Sequence, residues 1–324
     1  ATDLEISMRG FYPAKVVKEG AVTLNARKLF DILKELPVQE VRLVKEENDW
    51  VTLTCGKSRF RLPGLPATDY PKLPEYSETG LLEFSGKQLR EMIKKTFFAI
   101  SPDETRQALN GLLLEMEQGK VNLVGTDGHR QALIKRTAGK SNGADADPNG
   151  YLLPKKVLSE LLKSADQDDT TYTFSVKDNQ LAFIQDKEVI ISRKVDGKFP
   201  NYRQVIPGDN PLHVKVNKED LGHALKRVAL LADEKSKMVR FEITSGQITL
   251  ISDNTELGAA REEMAIDYDG DEVTIGLNAR YVIDVLAAVE GDSVTLNLKD
   301  ENHSCLITTE NDPDYLSIVM PMRL

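Results

Sequence analysis

The turn "GTDGHRQA" brings together three groups able to move protons or hold an anion, because Asp127, His129 and Arg130 fall within four residues. A carboxylate beside an imidazole starts acid–base chemistry, which also needs a nucleophile, a second carboxylate or a metal ligand at a matching spacing. None of these accompanies the turn. His129, His213, His223 and His303 form no zinc-binding pair. "CGKSRF" carries the Gly-Lys-Ser that ends a phosphate-binding loop, yet Val51 stands where the upstream glycine is required. Cys55 and Cys305 are too few for a disulfide framework or a Cys-rich metal site, and read as buried strand thiols. The residue chemistry points to no catalytic centre, no metal and no cofactor.

The elements that must position this turn emerge as an internal repeat. A helix opener occurs three times, as "LNARKLFDIL" from 24, "LPKKVLSELL" from 153 and "LNARYVIDVL" from 277, each with Asn or Pro at a cap or first-turn position. An alternating strand running into a polar corner occurs as "GKVNLVGTD" to Asp127 and "GQITLISDN" to Asn254, with the opening "ATD" as the tail of a third copy. "ATDYPKLPEY", "KFPNYRQVIP" and "DPDYLSIVMP" close the units. The order is constant, so the chain divides into residues 1–79, 80–208 and 209–324. Each complete unit reads as strand, helix, strands, helix, strands. With period-two stretches such as "YTFSVKDNQLAFI", that is an α+β fold with antiparallel sheet. Unit two has 46 residues before Thr126, whereas unit one has a single residue before Thr2. The repeat therefore predicts about 45 more residues ahead of Ala1, bearing an opening helix like "SGKQLREMIKKTFFAI". A unit one without them is expected to have an incomplete core and to dimerise poorly.

Length alone, at 324 residues, exceeds what one core serves, and no apolar run is long enough for a helical membrane span. No signal peptide opens the chain, so a cytoplasmic location is expected. The net charge of −9 argues against a nucleic-acid partner until it is divided by element. The helical windows 25–36, 85–98, 154–165, 217–232 and 278–290 hold fourteen Lys and Arg against eight Asp and Glu, so they carry +6 and the remainder −15. Basic helices on an acidic shell can hold phosphates on one face and repel them elsewhere. The same charges also fit helices with plain lysine-rich solvated faces; no base-reading motif is present, so any contact with nucleic acid is expected at the backbone and without sequence preference. "YLSIVMPMRL" ends the chain on apolar residues and two methionines, suited to a last strand or an adaptable groove for a partner's apolar side chains.

"VGTDGHR", "VDGKFPNYRQVIP" and the terminal "VMPMRL", set in a threefold repeat that covers the whole chain, resemble the bacterial sliding clamps, the β subunits of replicative DNA polymerase. The resemblance implies three clamp domains per protomer, with antiparallel sheets outside and helices lining a central hole. It implies a head-to-tail homodimeric ring around double-stranded DNA, a non-catalytic processivity factor in DNA replication. Replicative polymerase, clamp loader and repair polymerases would be tethered through short Gln/Leu/Phe-containing peptides. By the same resemblance the peptide groove takes Leu109, Thr126, Gly128, His129 and Arg130 on one wall and Pro200 and Val205 on another. Its far side takes Asn278, Tyr281, Ser304, Ile318, Val319, Met320, Pro321 and Met322. Gln131 and Gln204 depart from the family pattern and put the peptide preference in question. The dimer edge is expected to bring Phe60 and Leu62 to Leu230 and Leu231, with Lys57 and Arg59 facing Glu256 or Glu262. Arg27, Lys28, Arg90, Lys94, Lys156 and Lys226 are the residues expected to face DNA. On the residues alone two other readings stay open: a hydrolase built on the Asp127–His129–Arg130 turn, and a scaffold that binds peptides without encircling DNA.

Overall fold

Asx turns recur at the start of the repeat's most important strand. Asp3 accepts from the N–H groups of Glu5 and Ile6, Asp127 from those of His129 and Arg130, and Asn254 from those of Glu256 and Leu257. A short acceptor side chain that bonds its own backbone two and three residues on specifies a corner locally, which is why the same corner is legible three times. The Asp3 carboxyl is lowered to about 2 by the Ile6 N–H and by Lys156.

The computed structural model describes residues 1–117, 119–140, 147–164 and 170–324; residue 165, the expected end of the third helix window, lies outside them. Unit one holds β1 (Ile6–Gly10), α1 (Ala26–Glu35), β2 (Val41–Lys45), β3 (Val51–Cys55) and β4 (Ser58–Leu62). Unit two runs β5 (Leu82–Ser85), α2 (Gly86–Phe97), β6 (Gly111–Glu117), β7 (Lys120–Thr126), β8 (Arg130–Thr137), β9 (Tyr151–Pro154), α3 (Lys155–Ser164), β10 (Thr171–Lys177), β11 (Gln180–Gln185) and β12 (Glu188–Arg193). Unit three repeats that order as β13 (Leu212–Asn217), α4 (Lys218–Val228), β14 (Met238–Thr244), β15 (Gln247–Asn254), β16 (Gly258–Ala265), β17 (Val273–Asn278), α5 (Ala279–Ala288), β18 (Ser293–Leu298), β19 (Cys305–Thr308) and β20 (Tyr315–Val319). All five α-helices of the described residues lie within the expected windows. Asn25, Ser85, Asn217 and Asn278 cap four of them by accepting from first-turn N–H groups, as polar residues before an apolar stripe should.

The pairing of strands explains how the units join. Unit two contributes two four-stranded blocks, β5-β10-β11-β12 and β6 to β9, and unit three contributes β13-β18-β19-β20 and β14 to β17. The first block of unit two is extended by β1, antiparallel to β12, with Ile6 opposite Ser192. Its second block joins the first block of unit three through β8 and β20, with Gln131 opposite Ile318, making one sheet of eight strands. Each inter-unit seam is therefore a β-ladder. The helices pack beneath, α2 on α3 and α4 on α5. Leu89, Met92 and Ile93 of α2 and Val282, Val285 and Leu286 of α5 belong to one core that is continuous across units two and three. Fully burying a side chain of this kind contributes about 1.5–3 kcal/mol. The α1 helix differs, with no buried residue and with Phe30 62% exposed. Cys55 and Cys305 are buried free thiols, as expected, and burial pushes the Cys305 thiol up to about 12.

A buried ionic cluster locks the seam between units two and three. Lys95 of α2, 3% exposed, donates to Glu91 at 2.9 Å and to Asp312 of unit three at 2.8 Å, and its ammonium lies over the Tyr315 ring. Arg136 of β8 bonds the same two carboxylates. Burial works against ionisation of Asp312 and Glu91, but the bonds from Arg136 and Lys95 outweigh it and hold both carboxyls below their ordinary values. A depressed carboxylate stabilises the fold above its unfolded pKa and loses that contribution as pH falls through the folded value, so the seam weakens below about pH 4. Lys95→Met leaves the buried Asp312 and the half-buried Glu91 on one guanidinium and should cost about 3–5 kcal/mol. In thermal melts between pH 7 and pH 3, the variant is expected to melt lower at pH 7 and to lose less of its remaining stability on acidification. An unchanged melting point would remove the cluster as a support of the seam.

Candidate functional site

The turn that opened the sequence reading sits at the end of the β8–β20 ladder, and side-chain alternation decides what each residue there can do. Arg130, Ala132 and Ile134 face the helices, and Ala132 and Ile134 join the main core. Gln131 and Leu133 face the other way, and Leu133 packs with Tyr202, Phe199 and Leu316 under the connector that follows β12. On β20, Val319 opposite Arg130 points into the core, whereas Ile318 opposite Gln131 shares the outer face. Two of the expected groove residues thus lie on the helix side of the sheet. Val319 is fully buried on the helix side, and Arg130, 9% exposed, is turned the same way.

Arg130 is a staple. Its Nε donates to Asp127 at 3.0 Å and its Nη1 to Asp284 of α5 at 2.5 Å. Its guanidinium carbon lies 4.4 Å from the Tyr281 ring centre and 5.4 Å from that of Phe98. A flat, weakly hydrated cation suits a slot between two rings and two carboxylates, where an ammonium would not fill the fork. Asp127 spends its carboxylate on this guanidinium and on the backbone of the turn, and it meets His129 only through the backbone N–H. The Asp–His pairing that acid–base chemistry requires is not made by these side chains. Gly128 has φ +91°, and a Cβ there would come 3.1 Å from Arg106 Nη2, so the turn demands glycine.

The C-terminal residues bridge both units. The Met320 N–H donates to the His129 carbonyl at 2.8 Å, and the Met322 N–H to the Gly276 carbonyl of β17 at 2.8 Å. Gly276 permits this approach, because a Cβ would meet the Met322 carbonyl oxygen at 2.8 Å. His129, Met320, Pro321 and Met322 are thereby drawn to the start of α5, where Asn278 caps the helix and donates to the Ser236 carbonyl. Ser304 precedes β19, whose Cys305 pairs with Val319. Gly128, His129, Pro200, Val205 and Met320 are exposed; Asn278, Tyr281, Ser304, Pro321 and Met322 are half-buried. Leu109, Thr126 and Ile318 are buried behind them.

Arg27, Lys28, Lys94, Lys156 and Lys226 are exposed on their helices, and Arg90 is half-buried. Lys87, Arg90 and Lys94 line one wall of a 750 Å³ cleft between α2 and α5, with Asp284 and Glu290 on the other. Lys156 binds Asp3 and Glu5 across the seam of units one and two, which offsets much of its charge. Phe60 and Leu62 lie on β4, an edge strand, with Arg59 beside them and Lys57 in the preceding turn. Leu230, 76% exposed, and Leu231 follow α4 beside β16, the edge strand of the other free sheet. Glu256 is exposed in the turn before β16, and Glu262 is bonded by Arg227 of its own chain. Asp284, Lys95, Arg136 and Asp312 were not expected from the sequence, because they meet partners far along the chain that no local pattern announces.

Comparison with known proteins gives one consistent answer. Family profiles for the DNA polymerase III beta subunit match in chain order: the N-terminal domain over residues 1–74, the central domain over 83–201 and the C-terminal domain over 203–323. The beta sliding clamp of Pseudomonas putida is 33% identical over 324 residues, covering 100% of this chain and 88% of the relative. A crystal structure of a sliding clamp from Pseudomonas aeruginosa with ligand superposes with a TM-score of 0.91 at 33% identity, over 100% of this chain and 88% of that one. The clamp of Bartonella birtlesii bound to griselimycin superposes with a TM-score of 0.94 at 30% identity, with the same two coverages.

Replacing the staple tests its weight. Arg130→Leu strands Asp127, which is 5% exposed, and should cost about 3–5 kcal/mol in chemical denaturation, whereas Arg130→Lys should recover only part of the loss. Equal stability of all three proteins would remove Arg130 from the seam.

Proposed function

Because the chain belongs to the sliding-clamp family of DNA polymerase III beta subunits, we propose that two copies close head to tail around duplex DNA and tether partner proteins through the surface at the β8–β20 seam. The protein is a sliding clamp, a processivity factor of DNA replication. We take its three domains as 1–79, 80–208 and 209–324. Among the described residues no helix is long and apolar enough to cross a membrane.

One observation carries the closure. In element order β8 corresponds to β1 and to β16, and β12 corresponds to β20 and to β4. Both seams within the chain pair a strand of the first kind with one of the second. β16 and β4 are the remaining members, and both are sheet edges. An edge strand presents unpaired N–H and C=O groups, so the third seam is one between copies, and two copies supply two of them. Repeating the register of the inner seams sets Lys57 opposite Glu262, within about one residue because hairpin lengths vary by one. Phe60, Leu62, Leu230 and Leu231 would close over that ladder, and Glu262 would share its charge between Arg227 and the incoming cations.

The closed arrangement turns the helices of all units inward, with Arg27, Lys28, Arg90, Lys94 and Lys226 toward the duplex and Lys156 contributing least. Contacts to phosphate of this kind are salt-sensitive and indifferent to sequence, and permit sliding. Replicative polymerase, clamp loader and repair polymerases would bring short Gln/Leu/Phe-containing peptides whose apolar side chains rest on Met320, Pro321, Met322, Pro200 and Val205. The backbone at Gly128 and His129 would orient them. No catalytic step is assigned, since Asp127 and Arg130 are spent on structure.

Loaded by a clamp loader onto nicked circular DNA, the protein should stay bound through a salt wash and be lost once the circle is linearised; equal loss from circle and linear DNA would defeat encirclement. Leu230→Asp buries an unpaired charge at the third seam and should raise the dimer dissociation constant by at least ~30-fold, from a cost of about 2–5 kcal/mol, in sedimentation velocity. A dimer of unchanged strength would move the interface elsewhere.

A further inference from the structure

Over residues 131–133 and 316–318 the outer face of the β8–β20 seam is apolar apart from one side chain. Leu133, Leu316 and Tyr202 lie at its covered end, and Ile318 continues toward Met320 at its open end. Gln131 sits between these ends, opposite Ile318 and only 2% exposed. Its Nε2 donates to the Tyr202 carbonyl at 3.3 Å, tying the ladder to the connector that carries Pro200 and Val205. Among the described residues nothing donates to its Oε1. The carboxamide is thus fixed by one end, and its acceptor is left to the little solvent that reaches it. The cover also ends here, since Val205 is 41% and Met320 37% exposed.

An acceptor served only by the little solvent that reaches it loses that water when a ligand covers it, and a site built around such a group rejects ligands that return no donor. A purely aliphatic anchor placed over Gln131 would strip away its remaining water and return nothing. We infer that Gln131 is a specificity-determining residue of the partner groove, selecting peptides whose anchor at this position carries a hydrogen-bond donor, a carboxamide above all, over aliphatic anchors of the same shape. This rests on the groove proposed above. The tether to Tyr202 keeps the acceptor in place and prevents it from swinging out to solvent.

The test uses the full chain and a labelled peptide of the Gln/Leu/Phe type, in which each leucine in turn is replaced by asparagine, its near-isostere, with binding read by fluorescence anisotropy. The wild type should bind the asparagine and leucine versions comparably at one anchor position and prefer leucine at the others. Gln131→Leu should shift the ratio at that one position toward leucine by about fivefold or more, the equivalent of one hydrogen bond, and leave the others unchanged. Gln131→Met, unbranched and of similar length, should do the same if the leucine variant folds poorly. A ratio unmoved at every position, with the parent peptide still bound, overturns the role of Gln131 and leaves the groove standing. Failure of the wild type to bind the parent peptide overturns the groove and this inference together.

Discussion

The unpaired edge of a β-sheet is the constraint on which the rest of this structure depends. Every complete unit presents strands whose outer hydrogen-bonding groups need a partner, and the chain supplies one by ladder: β1 on β12, and β8 on β20. Helix packing and ionic clusters then fill in behind a geometry that the ladders have already set. Antiparallel pairing fixes orientation and register together, so a seam made this way transmits the same rotation from unit to unit. A hydrophobic contact between separate sheets would fix neither as firmly. Because each junction uses the same two strand positions, the pattern must either end with β4 and β16 bare or close on another copy, and closure pairs both.

What could be read from the sequence follows from how local its cause is. The Asx corners at Asp3, Asp127 and Asn254 and the caps at Asn25 and Asn278 act within three residues, so they repeat visibly and fixed both the unit order and the helix windows. Buried ionic partners are different. Lys95 meets Asp312 217 positions later, and Arg130 meets Asp284 154 positions later, with no pattern in either neighbourhood to announce the match. The alternation of β8 also redistributed the expected site: reading "TDGHR" as one functional string hides that Arg130 and Gln131 point to opposite faces. Family resemblance named the string; only the strand direction divides it into staple and floor.

The charge division drawn from the sequence is sharpened by the structure. Of the helix cations, Lys95 is consumed by the seam, Lys156 by the acidic corner of unit one, and Arg227 by Glu262. The excess positive charge on the helices is therefore concentrated in fewer residues than a count suggests. That favours a diffuse, weak hold on a polyanion over a tight one, since mobile exposed lysines interact through solvent and salt. For a protein retained by topology, weak contacts suffice, and strong ones would oppose sliding.

The last seven residues place two requirements on one stretch of chain. Ile318 and Val319 complete the ladder between units two and three, and Met320 and Met322 bond the backbone of each unit in turn. The same residues present methionine and proline side chains outward, where flexible thioethers adapt to several partners at little cost. The groove proposed here would be floored by a seam that cannot be remodelled without disturbing the joint beneath it, so partner recognition would be confined to what the outward side chains and Gln131 offer. Selectivity among peptides must then arise from side-chain chemistry on a rigid backbone rather than from movement of the walls. The staple at Arg130 would then lie directly under the proposed groove: it ties Asp127 to α5, and so would keep His129 on one side and Asn278 on the other at a constant separation for an arriving peptide.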